Sequence, residues 1–282
     1  MLQQTRVAAV LDHYHRFLLR FPTVEALAAA RESSVLAAWS GLGYYHRARR
    51  MHQAAKLIAR ESKGSLPGTA VAWAELPGIG RYTAAAIASI AFGQAVAVVD
   101  GNVERVLHRL LGGTESRAAS WRQAECLLDR ARPGDFNQAM MELGATVCTP
   151  RAPQCLLCPL QPFCKTRGVE AKQPQPPRTR RELYYAIARQ KDSVLLVQRP
   201  PDASLMASMW ELPSLAAEQA NGNAPLLRLR HSITNTDYRV AVFAIDPAER
   251  WTPPRARWFT LRRCERLPLT GLARKILRRL AV

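Results

Sequence analysis

Four cysteines lie within seventeen residues, in the stretch CTPRAPQCLLCPLQPFC that runs from position 148 to position 164. Four thiolates can hold either a tetrahedral zinc ion or a [4Fe–4S] cluster. Structural zinc sites usually carry two C-x2-C pairs on separate loops, whereas this single segment has one such pair and no histidine. The C-x6-C-x2-C-x5-C spacing therefore favours a [4Fe–4S] cluster on Cys148, Cys155, Cys158 and Cys164. Zinc and a chance group of buried thiols remain as alternatives.

The stretch LPGIGRYTAAAIASIAF (76–92) has the form of a helix–hairpin–helix. Pro77 ends one helix, and Gly78 and Gly80 permit the backbone torsions of a tight turn. The N–H groups of such a turn, together with the start of the next helix, form a site for a phosphate group. We predict that Gly78, Gly80 and the adjoining Arg81 contact a nucleic-acid backbone, with an ordinary helix–helix turn as the alternative.

An aspartate follows the apolar run that comes after this motif. In AVVDGNVERVLHRL, Asp100 directly precedes a predicted helix that starts at Gly101–Asn102. Aspartate at that position is a preferred helix N-cap, because its side-chain oxygen accepts hydrogen bonds from the free N–H groups of the first turn. The pattern alone predicts a cap.

The charge of the chain indicates its class of partner. The 282 residues include 40 Lys and Arg against 22 Asp and Glu, a formal net charge of +18, and 48% are hydrophobic. The hydrophobic fraction predicts a globular core, and the charge favours a polyanionic partner, nucleic acid before a membrane surface. We find neither a transmembrane run nor a signal peptide. We therefore expect a cytoplasmic protein, in which clustered cysteines indicate metal or redox chemistry.

The elements that must position these residues divide into two parts. Apolar spacing and Pro/Gly punctuation predict helices over 7–18, 23–30, 33–40, 44–61, 82–92, 102–111 and 120–131, with a break at Pro133-Gly134. The Pro- and Arg-rich stretch 171–182 is predicted to be a linker and neither a helix nor a central strand. Strands are predicted in LYYAIARQ, SVLLVQRP, YRVAVFAI and ARWFTL, and a last helix in GLARKILRRLAV.

Six segments together resemble a known family. MLQQT (1–5), GLGYYHRAR (41–49), LPGIGRYTA (76–84), VDGNVERVL (99–107), FNQAMMELGATVC (136–148) and the cysteine loop are similar, in order, to MutY-type adenine DNA glycosylases of the endonuclease III-like superfamily. The resemblance covers roughly residues 1–165, and 183–282 resembles the Nudix-like domain of that family more weakly. It implies removal of adenine mispaired with 8-oxoguanine or guanine, by monofunctional hydrolysis of the N-glycosidic bond in base-excision repair.

The resemblance also implies a fold and a partner. The expected fold is mostly α: a helix–hairpin–helix glycosylase core with a [4Fe–4S] loop over 1–167, a linker over 168–182, and a smaller α+β Nudix-like domain over 183–282. The expected partner is double-stranded DNA with an 8-oxoguanine:adenine mispair, and no membrane partner is expected. The protein is expected to be a monomer in a bacterial cytoplasm, associated with the nucleoid through DNA.

Roles for individual residues follow from the resemblance. Asp100 stabilises positive charge on the sugar, Tyr82 contacts the sugar, and Asn102 supports the attacking water. Gln4 and Tyr44 wedge beside the 8-oxoguanine, and Leu2 and Thr5 touch that nucleotide. Gln138 faces the extruded adenine, Thr234 bonds the lesion, and Lys165 meets the phosphate backbone.

Two departures from the family patterns matter. Bifunctional relatives have a Schiff-base lysine two residues after the second hairpin glycine, and Tyr82 stands there. A lysine nucleophile is therefore disfavoured. The family motif Glu-x-Met-Leu-Gln-Gln-Thr places its general acid two positions before Met1. We therefore expect the chain as printed to bind the mispair but to release adenine negligibly, either because its start is assigned at an internal Met or because it is truncated.

Three other classes of function remain open at this point. They are a non-catalytic iron–sulfur DNA-binding protein, a zinc-bearing nucleic-acid-binding module, and a pyrimidine-specific endonuclease III-like glycosylase. Tyr82 and the second domain argue against the pyrimidine enzyme.

Overall fold

The computed structural model describes residues 1, 5, 7–62, 64–112, 116–167, 177–220, 224–233, 235–246 and 253–280. Leu2, Gln4, Thr234 and most of the predicted linker lie outside these ranges. The described residues form two compact units, one of Met1–Ala59 with Gln175–Val282 and the other of Arg60–Pro174. Within the described ranges, no helix combines the length and the apolar character that crossing a membrane requires.

The first unit begins with four helices, and the predictions over 7–61 are confirmed to within a few residues at each end. They are α1 (Val7–Arg20), α2 (Val24–Ala29), α3 (Glu32–Trp39) and α4 (His46–Glu61). Thr23 caps α2 by accepting a hydrogen bond from the Ala26 N–H. The helices close around Phe17 and Trp39, whose rings meet edge to face at 6.2 Å.

The rest of this unit is built on a mixed sheet of seven strands. They are β1 (Thr179–Gln190), β2 (Ser193–Gln198), β3 (Trp210–Glu211), β4 (Ser214–Leu215), β5 (Leu227–Ile233), β6 (Thr236–Ile245) and β7 (Ala256–Thr260). The main order is β3-β2-β1-β6-β5, with β4 on β1 and β7 on β2. Among the strand pairs that the structure describes, β1 and β6 run parallel and the others run antiparallel. Three short helices complete it: α10 (Ala217–Ala220), α11 (Leu261–Cys264) and α12 (Gly271–Arg279).

One linker prediction is wrong. Strand β1 begins at Thr179, so Thr179–Glu182 belong to a central strand and not to the linker. These four residues follow the last proline and are free to donate to a ladder. They pair in parallel register with Thr236–Arg239 of β6 while their polar side chains stay exposed.

The compact units differ from the domains predicted at 1–167 and 183–282, because α3 and α4 pack on the C-terminal residues. The Ser40 hydroxyl donates to the Leu269 carbonyl at 2.9 Å and accepts from Arg274 Nε at 3.1 Å. Met209 is fully buried in the core that α1–α4 enclose. The Ser40 contacts join residues 229 and 234 positions apart, which local sequence patterns do not report.

The second unit is helical. Its helices are α5 (Ala70–Ala74), α6 (Arg81–Phe92), α7 (Gly101–Leu111), α8 (Arg117–Leu127) and α9 (Pro133–Glu142), followed by a π-helical turn, Leu143–Val147. Helix α5 is the first helix of the hairpin, the one predicted to end at Pro77, although no bounds were predicted for it. The break predicted at Pro133-Gly134 is the first turn of α9, where proline fits because no N–H is needed there. Gly134 allows close packing on α6, since a Cβ there would lie 2.8 Å from the Ser89 carbonyl oxygen.

A buried asparagine fixes the extended segment between α6 and α7. Asn137 on α9 is 1% exposed. Its Oδ1 accepts from the Val98 N–H at 3.0 Å, and its Nδ2 donates to the Val96 carbonyl at 2.9 Å and to Ser89 Oγ at 3.0 Å. One side chain thus satisfies backbone groups of a segment that ends at Asp100.

Replacing Asn137 with alanine removes the hydrogen bonds that its side chain makes to the Val98 N–H and the Val96 carbonyl. We expect Asn137→Ala to lower the free energy of unfolding by about 3 kcal/mol, measured by urea denaturation. The matched control is Gln138→Ala, because Gln138 is exposed and its amide bonds the Gly134 carbonyl within its own helix. Its effect should stay within about 0.5 kcal/mol. Equal losses for the two variants would contradict the role given to Asn137.

Candidate active site and cysteine loop

Asp100 is the N-cap of α7, as its position in the sequence predicts. Its Oδ1 accepts hydrogen bonds from the Asn102 and Val103 N–H groups, each at 2.8 Å, and its Oδ2 accepts from Asn102 Nδ2 at 3.0 Å. Three donors therefore fix one carboxylate at the positive end of a helix. The side chain is only partly buried, so it can still meet a ligand.

An arginine that sequence analysis missed supports this cap from behind. Arg105 Nη2 donates to Asn102 Oδ1 at 3.0 Å and to the Gly144 carbonyl at 2.6 Å, and its Nε donates to the Cys148 carbonyl at 2.8 Å. The side chain thus connects α7, the π-helical turn and the first cysteine. The available signal was its place three residues after Asn102, on the same helix face.

Gly144 makes this arrangement possible. A Cβ at Gly144 would lie 2.7 Å from Asn102 Cβ and 2.8 Å from the Asn102 carbonyl oxygen. The π-helical turn therefore presses its backbone directly against the residue that contacts both oxygens of Asp100. Any side chain at position 144 displaces Asn102.

Tyr82 lies close to Asp100 in the same unit. It sits in the first turn of α6, and its hydroxyl points to Met141 Sδ at 3.6 Å. Burial raises the pKa of the Tyr82 phenol, and the charge of Asp100 raises it further. The phenol is therefore neutral at physiological pH and can serve as a hydrogen-bond donor.

The hairpin has the predicted form. Gly78 has φ +78°, a torsion that favours glycine, and Gly80 is the N-cap of α6 with no atom within 4 Å of where a Cβ would stand. Arg81 is exposed, and its guanidinium carbon lies 3.8 Å from the centre of the Trp121 ring. This stacking holds a cation beside the uncapped N-terminus of α6.

Gln138 is exposed on α9, with its Nε2 donating to the Gly134 carbonyl at 3.3 Å. The amide therefore makes one weak bond inside its own helix. Its other donor and its acceptor can turn toward a ligand.

Two further predicted residues lie in the first unit and are joined by an arginine. Tyr44 is exposed and follows Gly41 and Gly43, which have φ +110° and +71°. The Arg47 guanidinium lies 5.6 Å from the Tyr44 ring centre, and its Nη2 donates to Thr5 Oγ1 at 2.9 Å. Arg47, which sequence reasoning missed, thus connects the N-terminal segment to the tyrosine turn.

The cysteine loop lines a small cavity that is partly open to solvent. All four cysteines of the loop line it, together with Arg109 and Arg167, and none is in a disulfide. Arg109 is 3% exposed, and its Nη1 donates to Cys148 Sγ at 3.3 Å and to the Thr149 carbonyl at 2.9 Å. Across the described part of the chain, no three His, Cys, Asp or Glu side chains converge closely enough to hold a single metal ion.

Lys165 and Arg151 are exposed at the two ends of this loop. The Lys165 N–H donates to the Leu110 carbonyl at 3.1 Å, and its side chain packs beside Gly112. The loop is therefore anchored to the C-terminal end of α7, the helix that Asp100 caps at the other end.

The contact at Gly144 can be tested directly. We expect Gly144→Ala to lower the free energy of unfolding by about 1–3 kcal/mol and to speed amide hydrogen exchange at Asn102 and Val103, whose N–H groups bond Asp100. Gly80→Ala is the control, because the space around Gly80 is open and its φ of −86° suits alanine. Unchanged exchange at the two amides would show that the turn does not press on the cap.

Comparisons with known proteins bear on this arrangement. Residues 1–127 match the family model of the HhH-GPD superfamily base excision DNA repair protein. The adenine DNA glycosylase of Mus musculus is 38% identical over 92% of this chain and 66% of its own length, and that of Rattus norvegicus is 36% identical over 99% and 69%. A solved structure of a thermostable thymine-DNA glycosylase has TM-score 0.55 and 30% identity, over 59% of this chain and 79% of that one.

The chain spans about two thirds of the length of these curated mammalian relatives. The hairpin and the capped Asp100 of its helical unit both lie within the residues that the superfamily model matches. On this similarity, the chain belongs to the adenine DNA glycosylase family of the HhH-GPD base-excision repair superfamily.

Proposed function

We propose that this protein is a monofunctional DNA glycosylase that acts as a monomer and hydrolyses the N-glycosidic bond of adenine mispaired with 8-oxoguanine or guanine. The observation that carries this proposal is the Asp100 carboxylate, which three hydrogen bonds fix beside the Asn102 amide. Membership of the adenine DNA glycosylase family supplies the substrate class.

The geometry suits charge stabilisation. As the bond from adenine to deoxyribose breaks, positive charge develops on the sugar. A carboxylate whose orientation is already fixed stabilises that charge without reorganising, an effect commonly worth about 3–4 kcal/mol. Asn102 has its Oδ1 engaged by Arg105, so its amide is held in place to orient Asp100 and the attacking water.

Hydrolysis, and not covalent catalysis, fits the residue at position 82. Tyr82 occupies the place where bifunctional relatives carry a Schiff-base lysine, and burial raises the pKa of its phenol. A neutral phenol is a poor nucleophile but a good hydrogen-bond donor. We assign to Tyr82 the positioning of the deoxyribose.

The target base must leave the duplex before its bond can be reached, at a cost of a few kcal/mol of unstacking. We assign strand holding to the hairpin backbone at Gly78 and Gly80, to Arg81, and to Lys165. We assign to Gln138 a hydrogen bond to the extruded adenine, which its second amide N–H and its carbonyl oxygen could make.

Recognition of the 8-oxoguanine is assigned to the first unit. Tyr44 offers an exposed ring, and Arg47 holds both Tyr44 and Thr5. Leu2, Gln4 and Thr234 complete this proposed set from outside the described residues. We propose that the C-terminal sheet is a Nudix-like reader of the lesion.

We also propose that Cys148, Cys155, Cys158 and Cys164 hold a [4Fe–4S] cluster. The four side chains line one cavity without converging on a single point. This arrangement suits a cluster with several metal atoms better than one zinc ion with sulfurs at about 2.3 Å. When bound, the cluster cross-links the loop, and Arg109 donates to one of its thiolates.

The central test concerns Asp100, in a chain that carries the family's motif glutamate ahead of Met1. Asp100→Asn keeps an oxygen that can cap α7 but removes the charge, so we expect single-turnover adenine release from 8-oxoguanine:adenine duplex to slow by about 10²–10³-fold. Glu104→Gln is the control, because it removes the same charge from the same helix turn without touching Asp100. Undiminished release by Asp100→Asn would refute the proposed function.

The cluster has its own test. We expect the purified chain to be brown and to contain about four iron atoms per molecule. Cys158→Ala should lose the iron, whereas Cys126→Ala, which changes an exposed cysteine outside the loop, should keep it. One zinc ion per chain in place of iron would overturn this assignment.

A further inference from the structure

We propose that one face of the C-terminal sheet carries a DNA-phosphate site formed by Arg228, Arg230 and Arg239, which we call the sheet arginine patch. The inference rests on the proposed function for its partner, duplex DNA. It adds a contact surface that neither the hairpin nor the cysteine loop provides.

The strand register places the three arginines together. Strands β5 and β6 pair antiparallel, with Arg230 directly opposite Arg239 and Arg228 opposite Ala241. Directly opposite side chains have Cβ atoms about 4.5–5.5 Å apart, and next-but-one residues along a strand lie about 6.8 Å apart. The sheet arginine patch is therefore a compact group.

The face is set by the burial of the alternate residues. Leu229, Val240 and Val242 point into the main core, so their neighbours in β5 and β6 point to the opposite side. On that side the C-terminal part of β6 is covered, because Ala241 and Phe243 pack with Leu215. The N-terminal part of β6 is open, and all three patch arginines are exposed.

The nearby carboxylates are engaged elsewhere. Asp237 accepts from Ser232 Oγ at 2.6 Å and pairs with Arg178 at 2.9 Å. Glu182, which lies opposite Arg239 in the register, accepts from the Tyr184 hydroxyl at 2.5 Å. Among the residues that the structure describes, no carboxylate lies within 4.0 Å of a patch arginine.

This charge arrangement favours a polyanion. Like charges directly opposite each other on paired strands destabilise a sheet, and a phosphate shared between Arg230 and Arg239 removes that repulsion. The planar guanidinium matches phosphate oxygens in a two-bond geometry. Leu226, just before β5, is a large apolar residue that is exposed beside the patch. A single leucine gives weak anchoring in lipid, so a nucleic-acid backbone fits three arginines better than a membrane.

Its place in the chain is consistent with this partner. Three residues separate Arg230, and three separate Arg239, from the loop that joins β5 to β6. That loop carries Thr234, to which we assigned a contact with the 8-oxoguanine. Phosphate contacts at the patch would hold the strand next to the lesion reader.

The test compares two triple variants of the full chain. The patch variant is R228A/R230A/R239A, and the control is R257A/R262A/R266A, which removes three exposed arginines from the same C-terminal region. Affinity for an undamaged duplex is measured at several salt concentrations. Each neutralised phosphate contributes about −0.9 to the slope of log K against log salt, so the patch variant should flatten the slope by about two to three and the control by less than one.

A third variant, R228K/R230K/R239K, separates charge from folding. It keeps three cations on the same face and should retain the slope of the parent chain. The proposal is overturned if both alanine triples flatten the slope equally, if neither does, if the lysine triple flattens it as much as alanine, or if the patch variant loses binding only to anionic phosphatidylserine vesicles. Adenine release by the glutamate-bearing chain is followed in parallel, so a failed glycosylase assay is distinguishable from a failed patch.

Discussion

The hydrogen bonds that fix Asp100 at the start of α7 are the constraint on which the candidate site depends. An aspartate cap is common, but here both carboxylate oxygens accept hydrogen bonds from Asn102, and the Asn102 side chain is itself fixed by a further hydrogen bond. Asn102 is bonded by Arg105, which reaches the backbone of the π-helical turn and of the first loop cysteine. A change in the shape of the cysteine loop can therefore displace the Asp100 carboxylate through two side chains, those of Arg105 and Asn102.

The parts of this site that the sequence predicted are local. Asp100 as a cap and the glycine turn at 78–80 depend on residues within a few positions, for which backbone preferences are strong. Arg105 was not predicted, because its partners Gly144 and Cys148 are 39 and 43 positions away. Helix α9 was missed because Pro133-Gly134 was interpreted as a break, although proline is favoured in the first turn of a helix.

The organisation of the chain escaped prediction for a related reason. A composition change near residue 170 correctly indicated a different kind of structure beyond it. Strands β1, β2, β6 and β7 match the four that were expected, whereas β3, β4 and β5 were not predicted. The packing of Ser40 with Leu269 and Arg274, however, is a tertiary contact between residues 229 and 234 positions apart. Hydrophobic periodicity shows that a helix has an apolar face but not which distant segment covers it.

The exposed ring of Tyr44 is carried by an unusual backbone conformation. Its φ of +47° places a bulky residue in the left-handed region, at a cost of about 1–2 kcal/mol relative to an ordinary conformation. Glycine or asparagine would adopt this torsion more readily but would bring no aromatic ring. Position 44 thus carries an unfavourable backbone torsion and, with it, a flat aromatic ring that faces outward. The contact between the Arg47 guanidinium and this ring stabilises the strained loop conformation.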